Sequence, residues 1–169
     1  MPHHYHLKDL PFQKRGAPID VFDLMSSPRL GQLAGCKWLQ VDIRRLEPGK
    51  FSFPYHAHRA SEEFFMILSG QATLRSPEGF RTVNAQEIVI FPAGAEHAHQ
   101  LYNHGDEDCV YLDVRTTPAI DVVDYPDTGK VNILPQMEIY DQKQGRCEYY
   151  SGEENVANHW PADILKQKK

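Results

Sequence analysis

The sequence predicts an all-β protein, a barrel or sandwich of short strands. Three observations carry that expectation. Turn signals recur at short intervals, at Glu47-Pro48-Gly49-Lys50, Ser69-Gly70, Ser76-Pro77-Glu78-Gly79, Pro92-Ala93-Gly94 and Asn103-His104-Gly105-Asp106. The runs between them are short and rich in Val, Ile, Phe, Tyr and Thr, residues that suit a pleated, half-buried surface. No helical period of useful length occurs before residue 150.

Taken in order, residues 1–34 form an N-terminal arm whose segment 19–25 can add a strand before the core. Residues 35–116 form the barrel, with strands expected near 37–46, 51–58, 63–68, 71–76, 79–84, 87–91, 97–102 and 109–115. Residues 117–169 form a C-terminal extension packed on the barrel. Pro118, Pro126 and Pro135 interrupt it, so 117–150 reads as an extended excursion over the barrel surface with edge pairing. The stretch 153–169 has room for one short helix, broken at Pro161, and Lys166-Gln167-Lys168-Lys169 reads as a solvated, frayed end.

Composition narrows the class. A chain of 169 residues suits one compact domain with a core that needs no disulfide staples. Its net charge of −5 is the wrong sign for a nucleic-acid partner, which needs a basic stripe. Cys36, Cys109 and Cys147 are odd in number and widely spaced, which argues against a disulfide framework or a zinc ribbon. They read as reduced thiols of a cytoplasmic protein. The longest apolar runs, 64–68 and 88–91, fall far short of the ~20 residues of a membrane span, so no membrane partner is expected. The start, Met1 to His6, has no apolar segment of signal-peptide type.

Nine histidines are present, and the informative ones are His56-Ala57-His58 and His97-Ala98-His99. On a strand, residues i and i+2 point to the same face, so each pair can turn two imidazoles into one cavity. Glu63 opens the next strand, and Phe65 and Ile67 share its face. A carboxylate on such an apolar face is costly unless it is paired or bound to a cation. His3, His4 and His6 belong to a terminal tail, His104 to a turn and His159 to the C-terminal stretch, so none of these enters the site. Trp38 and Trp160 read as packing residues. Tyr111 and Asp113 are candidate polar handles inside the barrel, with a surface or edge position as the alternative. Arg75 is a candidate anion contact, with a solvated strand position as the plainer reading.

These residues resemble the motifs of the cupin superfamily, small jelly-roll β-barrels. The first cupin motif reads here as Gly49, six residues, His56, His58, four residues, Glu63, six residues, Gly70. That spacing selects Glu63 over Glu62. The second motif has Pro92-Ala93-Gly94 at its centre, with Gln86 where the family has glycine and Glu87 where aspartate commonly follows. Counting forward from Pro92 gives His97 as the last ligand, and counting back from Asn103 gives His99. The run Ala98-His99-Gln100 resembles a subgroup of single-barrel, type-2 cupins and favours His99. Tyr125-Pro126-Asp127-Thr128-Gly129-Lys130 resembles a stretch that comes after the barrel in that subgroup. It is read either as a functional loop over the barrel mouth or as a plain turn. The resemblance thus implies a metal site of His56, His58, Glu63 and His99, and a homodimer paired through barrel edges and N-terminal strands, with 19–25 as the candidate strand.

Three imidazoles and one carboxylate suit Fe, Mn, Ni, Co, Cu or Zn better than Ca or Mg. Four protein ligands on a six-coordinate ion leave two positions for water, dioxygen or a chelating substrate. The expected function is a metal-dependent enzyme acting on a small organic molecule, of dioxygenase, decarboxylase or sugar isomerase type. The alternative is a cupin that binds or senses a small molecule without turnover.

Overall fold

The computed structural model describes residues 1–141, 143 and 145–165. The chain is an all-β jelly roll. Its strands are β1 (Gln13–Lys14), β2 (Met25–Ser26), β3 (Leu39–Leu46), β4 (Ala57–His58), β5 (Glu63–Ser69), β6 (Gln71–Ser76), β7 (Gly79–Asn84), β8 (Ile88–Phe91), β9 (Gln100–Tyr102), β10 (Cys109–Thr116), β11 (Asp121–Tyr125), β12 (Lys130–Leu134), β13 (Glu138–Asp141) and β14 (Gly145–Arg146). They build three antiparallel sheets with orders β1-β2-β3-β10-β5-β8, β14-β13-β12-β11-β4 and β7-β6-β9. No helix among the described residues is long and apolar enough to cross a membrane.

The large sheet has one face in the barrel. Along β5 the alternation buries Glu63, Phe65 and Ile67 and leaves Glu62 exposed. Cross-strand register sets Ile67 beside Tyr111, Phe65 beside Asp113 and Glu63 beside Arg115, and on the far side of β10 sets Leu46 beside Cys109. Polarity therefore changes along the barrel axis. One end is a plug of Leu46, Ile67, Leu74, Leu101 and Cys109, and the other collects Asp42, Arg44, Glu63 and Asp113. Tyr111 and Asp113, left open by the sequence, are both interior, at 0% and 2% exposure. The outward face of the same sheet is also apolar. Ile88 and Ile90 are 58% and 69% exposed, and their cross-strand neighbours are Met66 and Phe64.

Several expectations need correction. Segment 19–25 is not a strand. It makes a 3-10 turn at Asp20–Phe22, and Phe22 is fully buried against Phe51 and Tyr150 in a second aromatic cluster that includes Tyr102 and Trp160. The next strand, β2, is only two residues long and pairs with β3 of its own chain. Segment 51–58 is a strand only at Ala57–His58, with single bridges at Phe51 and His56; Pro54 lacks the N–H that a continuous ladder needs. At 97–102 the strand starts at Gln100, because 95–97 close a 3-10 turn. The extension, by contrast, is extended and edge-paired as expected: β11 joins β4 of the barrel, and β12, β13 and β14 continue the sheet. In the C-terminal stretch the described residues make a 3-10 turn at Val156–His159, not a longer helix, and Pro161 comes just after it. The expected frayed end at 166–169 lies outside the described residues. Trp160 packs as expected, donating Nε1–H to Gln100 at 2.9 Å, but Trp38 is 67% exposed at the outer end of β3 and packs against nothing in the core. Arg75 is not solvated: it forks onto Asp127 at 2.6 and 2.8 Å and lies 3.9 Å over the Tyr55 ring.

Two positions of the cupin motifs show why residue type matters. Gly70 sits at φ +72°, and a Cβ there would collide with the carbonyl oxygen of Asp108. Gln86, which stands where the family has glycine, also holds a left-handed φ of +73° while its N–H bonds Ile67 O at 2.8 Å. A non-glycine residue there carries strain. Gln86→Gly is therefore expected to stabilise the fold by about 0.5–1 kcal/mol, after the entropy that glycine loses on folding is allowed for. A rise in the urea midpoint at unchanged slope checks this.

Candidate metal centre

The four residues expected to bind a metal come from four different places in the fold. His58 lies on β4, His56 is bridged to His99 just ahead of it, Glu63 opens β5, and His99 immediately precedes β9. His56 and His99 exchange both backbone hydrogen bonds, at 3.2 and 2.8 Å, and this fixes their rings 4.7 Å apart. His56, His58 and Glu63 offer donor atoms that all lie within 4.8 Å of one another. The Glu63 Oε2 atom is 3.1 Å from His99 Nε2, 3.7 Å from His58 Nε2 and 4.0 Å from His56 Nε2. All four side chains are buried. His97 is elsewhere: it ends the 3-10 turn and lies 3.8 Å from exposed Glu96. The even spacing of the second histidine pair does not put both rings inside, because His97 is not on extended backbone.

Each ring is oriented through its other nitrogen. His56 Nδ1 lies 2.9 Å from Pro54 O, His99 Nδ1 3.1 Å from His97 O, and His58 Nδ1 2.6 Å from Asp121 Oδ2. Those partners are pure acceptors, so the hydrogen-bond network assigns the proton of each neutral ring to Nδ1 and the lone pair to Nε2. Phe91 stacks on His99 with centroids 3.7 Å apart, holding that ring in plane. Three imidazole lone pairs and a carboxylate oxygen thus face one small volume. Such a set of donors repels itself unless a positive charge lies among them. The donor chemistry of the His56, His58 and Glu63 group fits a divalent transition ion, and His99 Nε2 lies beside it, 3.1 Å from Glu63 Oε2.

Electrostatics agrees with this arrangement. Burial raises the Glu63 carboxyl, but the close contact with His99 and the neighbouring imidazoles outweigh burial and hold it well below the usual carboxylate range. Burial, with the adjacent His99 and His58, lowers His56 well below an ordinary histidine and keeps it neutral. Asp113 is pushed up to about 8, by burial first and then by the Glu63 charge, against the opposing pull of Arg44. Arg44 donates to Asp113 at 3.1 Å and to Asp42 at 2.6 Å.

Asp121 is a functional candidate that the sequence did not reveal. It lies on β11, in the extension, and its pairing with β4 brings it beside His58. Burial raises its carboxyl, but hydrogen bonds from His58, Ser61 and Ala60 outweigh that and depress it. An ionised Asp121 holds His58 with Nε2 free. In Asp121→Asn an amide can donate to Nδ1 and move the ring proton to Nε2. The expected result is roughly 10–100-fold weaker metal affinity with the fold intact, measured by competition with a chromophoric chelator.

His56, His58 and Glu63 line a cavity of about 690 Å3. Its walls include Phe53, Arg44 and Arg115 from the barrel, Arg15 and Arg29 from the N-terminal arm, and Tyr125, Asn132 and Tyr149 from the extension. Arg75 does not line it. Of the Tyr125 to Lys130 stretch, Tyr125 lines the cavity and the rest turns between β11 and β12.

Known proteins share both the fold and the sequence pattern. The sequence model of the cupin domain (Cupin_2) matches residues 43–115. Auxin-binding protein 1 of Arabidopsis thaliana is 30% identical over 130 residues, which cover 72% of this chain and 63% of that protein. Among solved structures, a proposed sugar phosphate isomerase from Acidithiobacillus ferrooxidans is 30% identical, with a TM-score of 0.67 over 76% of this chain and 82% of that one. A sugar phosphate isomerase of the cupin superfamily from Silicibacter pomeroyi is 24% identical, with a TM-score of 0.70 over 97% of this chain and 100% of its own, and shares the fold.

Proposed function

The chain belongs to the cupins, as a single-domain protein of type 2, and from that premise we propose that it is a metal-dependent enzyme acting on a small organic substrate. One observation carries the reading: the His56 and His58 imidazoles and the Glu63 carboxylate converge in the wall of an open cavity, with His99 Nε2 3.1 Å behind Glu63 and every other ring nitrogen bonded away. A divalent transition ion held by His56, His58, Glu63 and His99 would supply Lewis acidity toward a substrate oxygen. The residues around it orient the rings, exclude bulk water from the site and hold Arg44 and Asp113 within the same cavity. The likeness to the Acidithiobacillus protein favours sugar phosphate isomerisation over dioxygenase or decarboxylase chemistry.

Elemental analysis of freshly purified, untagged protein tests the site. Loading with Fe(II), Mn(II), Ni(II) or Zn(II), followed by assays on sugar phosphates and of dioxygen uptake with diketones and catechols, tests the reaction. Metal-free protein that stays inactive after loading would overturn the reading. The likeness to a protein named for auxin binding favours a second reading, a cupin that binds a small molecule without turnover. Saturable thermal stabilisation by one metabolite class with no product would select it.

We also propose a cytoplasmic homodimer. The support is the apolar outer face of the large sheet, where exposed Ile88 and Ile90 are flanked by half-buried Met66, Phe64, Leu112 and Val114, and a contiguous exposed apolar face marks an interaction site. A second copy applied to this face buries what segment 19–25, occupied within its own chain, does not offer. Sedimentation should give twice the chain mass, and Ile90→Lys should give the monomer.

A further inference from the structure

The cavity above the metal centre holds four guanidinium groups, and two of them are spent. Arg44 is paired with Asp42 and Asp113, and Arg115 reaches Gln40 at 3.1 Å and Asp121 at 3.9 Å. Arg15 and Arg29, both on the N-terminal arm and both exposed, line the same cavity with no carboxylate partner among the described residues. Arg15 is placed, not loose: its guanidinium lies 4.6 Å over the Phe53 ring, whose centroid is 6.3 Å from the His56 ring. A stacked guanidinium keeps its in-plane N–H groups free for a ligand. The facing wall, supplied by the extension, has a complementary gap. Asn132 is 2% exposed and lines the cavity; its amide meets Tyr125 and, at 3.8 Å, Met137 Sδ, and its Oδ1 accepts no hydrogen bond among the described residues. A buried acceptor left bare is costly, and a ligand hydroxyl would satisfy it.

We propose that the cavity selects a small hydroxylated anion, its phosphate or carboxylate held at the rim by Arg15 and Arg29 and a hydroxyl donated to Asn132 Oδ1. This rests on the cavity being the substrate site of a metal-dependent enzyme, and it assigns the N-terminal arm a binding role that the barrel motifs do not contain. Charge supports it: Arg44 and Arg115 answer Asp42, Asp113 and Asp121, Arg15 and Arg29 have no carboxylate partner among the described residues, and a bound divalent ion would offset Glu63. Arg recognises an oxyanion through paired N–H groups, and two guanidiniums of this cavity have theirs unspent on a carboxylate. A neutral ligand would leave both unanswered.

The test uses the full chain loaded with Mn(II) and three probes that share one ring: glucose 6-phosphate, glucuronate and glucose. Calorimetric titration should show saturable binding of one or both anions, with glucose weaker by about tenfold or more. Whichever anion binds identifies the head group as phosphate or carboxylate. In R15Q/R29Q that affinity should fall about tenfold or further, and in Asn132→Leu both anions should weaken together while the preference over glucose persists. The proposal is overturned by equal binding of glucose, by full affinity in R15Q/R29Q, or by no binding of either anion. Elemental analysis of the same samples separates the two readings. A protein that takes up no metal but binds anions through Arg15 and Arg29 would defeat the metal-dependent enzyme alone, and metal-replete protein indifferent to R15Q/R29Q would defeat the anion site alone.

Discussion

Glu63→Gln is expected to lower metal affinity by about a hundredfold or more while the protein stays folded and rich in β-structure. The substitution conserves shape but removes the single anionic donor. If a four-ligand site binds with about 10–16 kcal/mol, one donor accounts for roughly a quarter of it, and the charged donor for more. The Oε2 atom faces all three Nε2 atoms at 3.1–4.0 Å, so nothing nearby can take its place. His56→Ala should act in the same direction, with an added packing loss where its ring meets His58 and His99. Metal occupancy after dialysis against a weak chelator, read beside circular dichroism, checks both. His97→Ala should leave occupancy unchanged, and a loss there would mean that the register of the second motif had been misread.

The second large effect concerns stability. Lys130 closes the Tyr125 to Lys130 turn, and its ammonium is buried, with 2% of the residue exposed. Its three N–H groups are all used, on Tyr149 O at 2.8 Å, Ser151 O at 2.7 Å and Glu153 Oε1 at 2.8 Å. One side chain thereby ties the β11–β12 hairpin to the segment that carries Tyr149 and Tyr150 into the cavity wall. Lys130→Met leaves two carbonyls without a donor and a buried carboxylate with only the Thr128 hydroxyl, 3.3 Å away, and should cost about 3–5 kcal/mol in urea unfolding. Burial already raises the Glu153 carboxyl against the pull of Lys130, so loss of the lysine raises it further. The double variant Lys130→Met with Glu153→Gln should recover part of that loss, because no charge is then stranded.

Much of the barrel and of its candidate site was legible because both are written locally. The strand period put Glu63, Phe65 and Ile67 on one face, and cupin spacing separated Glu63 from Glu62. The parts that were not legible depend on pairing between distant segments. Asp121 gains its role only when β11 docks on β4, and nothing in the residues around it announces that partner. Segment 19–25 has a strand-like composition, yet the aromatic cluster around Phe51 and Tyr102 captures Phe22 and overrides it. Arg75 is polar on a strand and reads as solvated until Asp127, 52 positions later, arrives beside it. Trp38 fails in the opposite sense: its size suggests a core residue, but its position at the outer end of β3 leaves it uncovered.

The pairing of β4 with β11 bears on anyone who would transplant this protein's chemistry. The segment that identifies the family ends at residue 115, whereas the strand that flanks His58 and the carboxylate that orients its ring come later, at 121–125. A chimera that carries the family segment alone would inherit the ring without its anchor, and the recognisable module is therefore smaller than the working one. Engineers swapping cupin cassettes between hosts should keep the extension through Glu153, the partner of Lys130, rather than cut after β10.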